Sequence, residues 1–211
     1  MRKTLILAIS IVVATSLPVS AQFLGHLRSA EVSGMGSLNL LAGAGIYEDA
    51  FGILGRVRYG LAQPIDGTIS LAFLDHESSD DLSFVIGGDL QFQITQTDLG
   101  KTLDIALGPS LEYFSLNLRD GSDFSDLAIG GFVIGSKPVR TDTGFKFTPY
   151  GKLSLRVDRV QRGRFSRSDS EFNIGFNLGS VFPLSSSLQV STELQIDDQF
   201  GFIVGLNFFM W

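Results

Sequence analysis

The chain has 211 residues, of which 18% are charged, 24 are Gly and none is Cys, and its formal charge is −6. The length fits one domain, and the apolar content rules out a disordered chain. Acids outnumber bases by 22 to 16, a balance that repels phosphate and excludes a nucleic-acid binder. Without Cys there is no disulfide framework and no thiolate metal site.

Arg2 and Lys3 give a basic start, and residues 4–17 are almost wholly apolar. Pro18, Val19, Ser20 and Ala21 follow, with short residues at −3 and −1. This three-part plan predicts a cleaved signal peptide over residues 1–21. The apolar run falls short of the ~20 residues that a bilayer-spanning helix needs. Cleavage removes two bases and no acid, leaving 14 basic against 22 acidic residues, a net −8. No later segment has 18 uninterrupted apolar residues.

Residues 22–36 (QFLGHLRSAEVSGMG) have no clear period and read as a lead-in, in which His26 has no evident partner. From residue 37 the dominant period is two. Strands are predicted at 38–47, 51–62, 69–74, 83–94, 103–113, 127–136, 145–158, 172–182, 187–196 and 200–211. The alternation is clear in 83–94, where Phe84, Ile86, Gly88, Leu90, Phe92 and Ile94 oppose Ser83, Val85, Gly87, Asp89, Gln91 and Gln93. It is equally clear in 145–158, 172–182 and 187–196. In 127–136 and 200–211 either phase fits. Short turns at 63–67, 97–102, 137–144 and 183–186 alternate with more charged connections at 48–49, 75–81, 119–126, 161–171 and 197–198. Ten strands result, or eight if the weakest hairpin is misread, and both termini fall on the turn side.

Alternation alone suits a barrel with its apolar face turned either way. Four features favour apolar outward: strands of ten residues or more against an average of ~5–6, apolar faces nearly free of charge, Gly on both faces, and a last strand ending Phe208-Phe209-Met210-Trp211. With these residues the chain resembles a small bacterial outer-membrane β-barrel of the OmpA-like or porin-like kind, over residues 37–211. The resemblance implies an all-β, antiparallel up-and-down transmembrane barrel, with the lead-in of residues 22–36 and both termini in the periplasm. It implies outer-membrane lipid and lipopolysaccharide as partners. In that family the C-terminal aromatic strand is read by the barrel-assembly machinery. Phe209 and Trp211 match its third-last and last positions, while Asn207 and Gly205 depart from the apolar residues usual at the next alternate positions.

With apolar faces toward lipid, the interior is expected to hold Arg56, Arg58, Asp89, Asp104, Glu112, Lys146, Lys152, Arg156 and Glu193. Buried charges are tolerated when paired, so the expected lumen is an ion-pair network in a structural or weakly permeable barrel. A narrow porin-like channel lined by the same groups is the alternative. The stretch Asp75–Asp81 (DHESSDD) and the acids Asp120, Asp123, Asp126, Asp197 and Asp198 read as solvated loops. Neither a metal-ligand spacing nor a catalytic constellation is evident, and no cofactor is expected. A lipid-modifying enzyme using His76, or an adhesin using its loops, remain further alternatives. Arg159, Arg162, Arg164 and Arg167 could meet a surface polyanion through charge-assisted contacts.

Overall fold

The computed structural model describes residues 23–76, 79, 81–94, 103–117, 123–162, 169–197 and 199–210. The strands are β1 (Leu38–Tyr47), β2 (Ala50–Ala62), β3 (Ile65–His76), β4 (Ser83–Ile94), β5 (Asp104–Asn117), β6 (Asp123–Ser136), the two-residue β7 (Val139–Arg140), β8 (Lys146–Arg162), β9 (Asp169–Pro183), β10 (Leu188–Ile196) and β11 (Phe200–Met210). Each barrel strand pairs antiparallel with its neighbour in sequence, and β6 pairs with β8 past the short β7. β1 pairs with β11 from Leu38↔Met210 to Tyr47↔Gly201, so the sheet closes on itself as a ten-stranded barrel with no free edge.

The pleat puts successive side chains on opposite faces, and outside is apolar. On β2, Phe51, Ile53, Val57, Tyr59 and Leu61 all point out, and on β8 so do Leu153, Leu155 and Val157. A sheet that buries its polar face and shows its apolar one is the inverse of a water-soluble barrel and suits lipid. Both ambiguous strands are settled. On β6, Ile129 and Val133 face out while Phe132 and Ile134 face in; on β11, Phe200, Phe202, Val204, Leu206, Phe208 and Met210 face out.

Several strands are longer than their periodicity predicted. β3 starts at Ile65, which puts Asp66 in the wall instead of in a turn. β6 starts at Asp123, and Asp126 is buried at 5% exposure instead of being a solvated loop acid. His76 closes β3 with its ring buried. Extra pairing at the loop end satisfies backbone groups that sequence alone assigned to water.

The lead-in is where the structure departs most from expectation. Residues 23–33 do not trail outside the barrel; they run through its interior. Phe23 packs on Tyr47, His76 and Phe114, which mark the loop end of β1, β3 and β5. Ser33 bonds Asp66 at the turn end. Gly34 and Gly36, at φ of 85° and 81°, then turn the chain outward into β1, a left-handed conformation that Gly adopts freely. The described chain therefore starts at the loop end and finishes with β11 at the turn end, and not with both ends on the turn side.

Candidate functional site: the filled lumen

Eight strands leave an interior just filled by side chains, and diameter grows with strand number. Ten strands leave room for slightly more, and one further stretch of chain takes it. Eleven residues reach at most ~36–40 Å, above the ~30 Å height of a hydrocarbon core, which leaves length for the left-handed bends at Gly25 (φ 62°) and Leu27 (φ 53°).

An unpaired backbone inside a barrel would leave polar groups unsatisfied, and here the wall side chains satisfy them. Glu193 on β10 accepts from the backbone of His26 (2.8 and 3.0 Å) and Leu27 (2.7 Å), from the Tyr150 hydroxyl (2.6 Å) and from the Asn177 amide (2.8 Å). Glu112 on β5 accepts from the Phe23 N–H at 2.9 Å. Arg56 on β2 donates to the carbonyls of Leu24 (2.8 Å), Gly25 (2.9 Å) and His26, and to Ser70 Oγ (2.8 Å). The Tyr47 hydroxyl donates to the Phe23 carbonyl. Further down, Gln91 donates to the carbonyls of Ser29 and Ala30, Ser136 Oγ accepts from Ala30 N, and Gln93 Oε1 accepts from Val32 N. Arg58 donates to the Glu31 carbonyl at 2.6 Å. These bonds to residues 23–33 all come from side chains of the wall. The segment is held by side chains from β1 to β6 and from β10.

Side chains of the segment add selectivity. Phe23, Leu24 and Leu27 are buried with Leu41, Tyr47, Leu54, Leu74, Val85, Phe114 and Ile203 in one apolar cluster in the loop half. The Gly87 wall position admits Leu24, because a Cβ there would lie 2.6 Å from Leu24 Cδ1. Gly25 sits at φ +62°, and a Cβ would lie 2.7 Å from Ile203 Cδ1 and 2.9 Å from Glu193 Oε1. Arg28 pairs with Asp89 and donates to Thr68. His26, given no partner from sequence, is buried between Gln91, Arg28 and the Phe132 ring.

The expected interior residues divide. Arg56, Glu112, Lys152, Arg156 and Glu193 are buried on the inner face, and Arg58 and Asp89 nearly so. Lys152 lies 5.4 Å from the Phe132 ring centre, a cation–π contact. Lys146 is the exception: it is exposed at the turn end of β8, beyond the rim. Asp104 is half-buried at the same rim. The ion pairs use partners that sequence placed elsewhere or left out. Arg58 pairs with Asp66, Arg156 with Asp158 (2.8 Å) and with Asp197, which had read as a loop acid. Among the described wall residues that are buried on the inner face or nearly so, Arg56, Arg58, Lys152 and Arg156 stand against Asp66, Asp89, Glu112, Asp126, Asp158 and Glu193. The interior is thus part ion-paired and part apolar, and much of its charge is spent on a peptide backbone.

Phe209 faces inward, where it lines a cavity of about 300 Å³ at the turn end with Glu31, Ser33, Arg58 and Gln189. It therefore does not sit on the lipid-facing row. Asn207, also inward, donates to Ser191 Oγ at 2.7 Å, which explains why it breaks the apolar run. Trp211, Arg164, Arg167, the side chain of Arg162 and the signal peptide lie outside the described residues. Arg159 faces out at the loop end, one alternation beyond Val157. His76 is packed on Phe23 and Phe114, a poor setting for a surface catalytic base. Among the described residues no cluster of three metal-binding side chains occurs.

No family model and no curated protein matches the sequence. Solved structures do resemble the fold. The translocator domain of autotransporter NalP from Neisseria meningitidis superposes with a TM-score of 0.50 at 11% identity, covering 83% of this chain and 89% of that one. The fold is that of a bacterial outer-membrane β-barrel. The COG4313 outer membrane channel from Pseudomonas putida F1 (TM-score 0.42, 10% identity, 90% and 100% covered) and the N-terminal barrel of Pseudomonas aeruginosa OprF (0.43, 10%, 84% and 100%) are more distant matches.

Proposed function

We propose that the chain is an integral outer-membrane protein whose barrel is closed by its own N-terminal segment, with a structural role. The observation that carries this reading is the passage of residues 23–33 through the lumen, with their backbone groups bound by the wall. The apolar outer face supports the membrane setting, and the fold is one that bacterial outer-membrane proteins use. With turns toward the periplasm, the cavity beside Phe209 opens to that side and ends against the segment.

The outward row of β11, from Phe200 to Met210, is the part of the last strand offered to the assembly machinery. The exposure of Arg159 at the loop end of β8 supports contact with lipopolysaccharide phosphate.

Single-channel recording in a planar bilayer tests the reading, with protein shown to be folded by its mobility shift on an unboiled gel. The expected result is a silent bilayer. Discrete conductance steps from the intact chain would overturn it in favour of a narrow channel.

A further inference from the structure

The way residues 23–33 are held differs from the way the barrel strands are held. Strands are fixed by backbone ladders; the segment is gripped through side chains, as a bound ligand would be. Its carbonyls converge on Arg56 and its N–H groups on Glu193 and Glu112. One aromatic, Phe23, fills an apolar pocket at the loop end. One cation, Arg28, meets Asp89. The turn-end half lies against an open cavity of about 300 Å³ that gives solvent access to it.

We propose that the barrel interior is a binding site for a peptide threaded along its axis, that residues 23–33 are the ligand that occupies it, and that releasing this ligand opens a cation-preferring pore. The proposal rests on the closed-barrel reading above and goes beyond it. Recognition is mostly of backbone, and it needs Gly at the third position, where φ is +62° and a side chain would collide with Ile203 and Glu193. Selectivity comes from the first residue, an aromatic, and the sixth, a cation. Release removes Arg28 and Glu31 together and so leaves the charge balance to the wall, which carries more acids than bases; the emptied lumen is net negative and favours cations.

The test uses the full chain with a protease recognition sequence inserted after Met35, which is 76% exposed, at the turn-end exit. The protein is refolded, checked by gel mobility, placed in a bilayer and then cut, so the barrel has already formed when the segment is freed. Mass spectrometry of the washed protein reads whether the peptide has left. The expected result is silence before cutting and discrete cation-preferring steps after cutting and washing. A synthetic peptide of residues 23–33 then restores silence, and the same peptide carrying Phe23→Asp does not. Retention of the cut peptide through washing, or a silent bilayer after its loss, would overturn the proposal. So would failure of the synthetic peptide to close the pore, or anion preference. Steps from the uncut protein would instead defeat the closed-barrel reading, so the two failures are distinct.

Discussion

Glu193 gathers four donors on one buried carboxylate: two from the segment, one from β8 and one from β9. Hydrogen bonds to a charged group contribute about 1.5–3 kcal/mol each, and an orphaned buried donor carries a further cost. Glu193→Gln places an amide donor among donors and is expected to cost about 3 kcal/mol or more. Tyr150→Phe, which loses one of the four, should cost about 1.5–3 kcal/mol. Urea titration of the gel-mobility shift measures both, and equal losses would show that Glu193 does not act as a hub. Gly25→Val should leave the barrel folded but expel the segment, read as protease cleavage within residues 23–33. At this scale the sequence was only partly legible. Alternation marked Arg56, Glu112, Lys152, Arg156 and Glu193 as inward, because a period-two strand leaves a charge no other face. It could not show that Glu112 and Glu193 bind a backbone, since an aperiodic stretch such as FLGHLRSAEVS carries no signal for where it docks. The inward apolar residues Leu54, Leu74, Val85 and Ile203 were the available hint: a purely aqueous lumen has no use for them.

At the scale of elements, a strand is specified by which face meets lipid. Ile129 lies near the middle of β6, faces out and pairs with Leu111 and Val157. Ile129→Arg puts a charge near mid-height, where the cost is about 2–4 kcal/mol. Arg159, at the loop end of the neighbouring strand, should accept exchange for Lys with under about 1 kcal/mol lost. Chemical denaturation in lipid vesicles compares the two, and similar losses would contradict the membrane placement. Strand existence was the most legible part of the molecule, since ten runs of alternation separated by turn residues leave little choice. Strand ends were less so. Asp66, Asp126 and His76 are polar residues next to turns, and polarity alone reads as loop; pairing with the neighbouring strand is what makes them wall. The phase of β11 was hidden by its composition, as Phe208 and Phe209 are equally suited to lipid, and the inward pull of Asn207 on Ser191 decides it.

At the scale of the whole molecule, the first described residue and the last strand lie at opposite mouths. A short tag placed just before Phe23 is expected at the loop mouth, and one following Trp211 at the turn mouth. The chain has no Cys, so single introduced Cys residues labelled with a membrane-impermeant reagent on intact cells can report this. Labelling of both ends from the same side would contradict the threaded arrangement.

The segment also joins residues far apart along the chain. Phe23 meets Glu112 across 89 positions and His26 meets Glu193 across 167. Contacts of such range are costly to close and form late. The pairing of Leu38 with Met210 already imposes that separation on the barrel, so the segment adds little to the search. Interactions absent from the transition state act on the exit rate and leave the entry rate nearly unchanged. The internal peptide is therefore a timer on the native state: a barrel relieved of it should refold at a similar speed yet survive for a much shorter time.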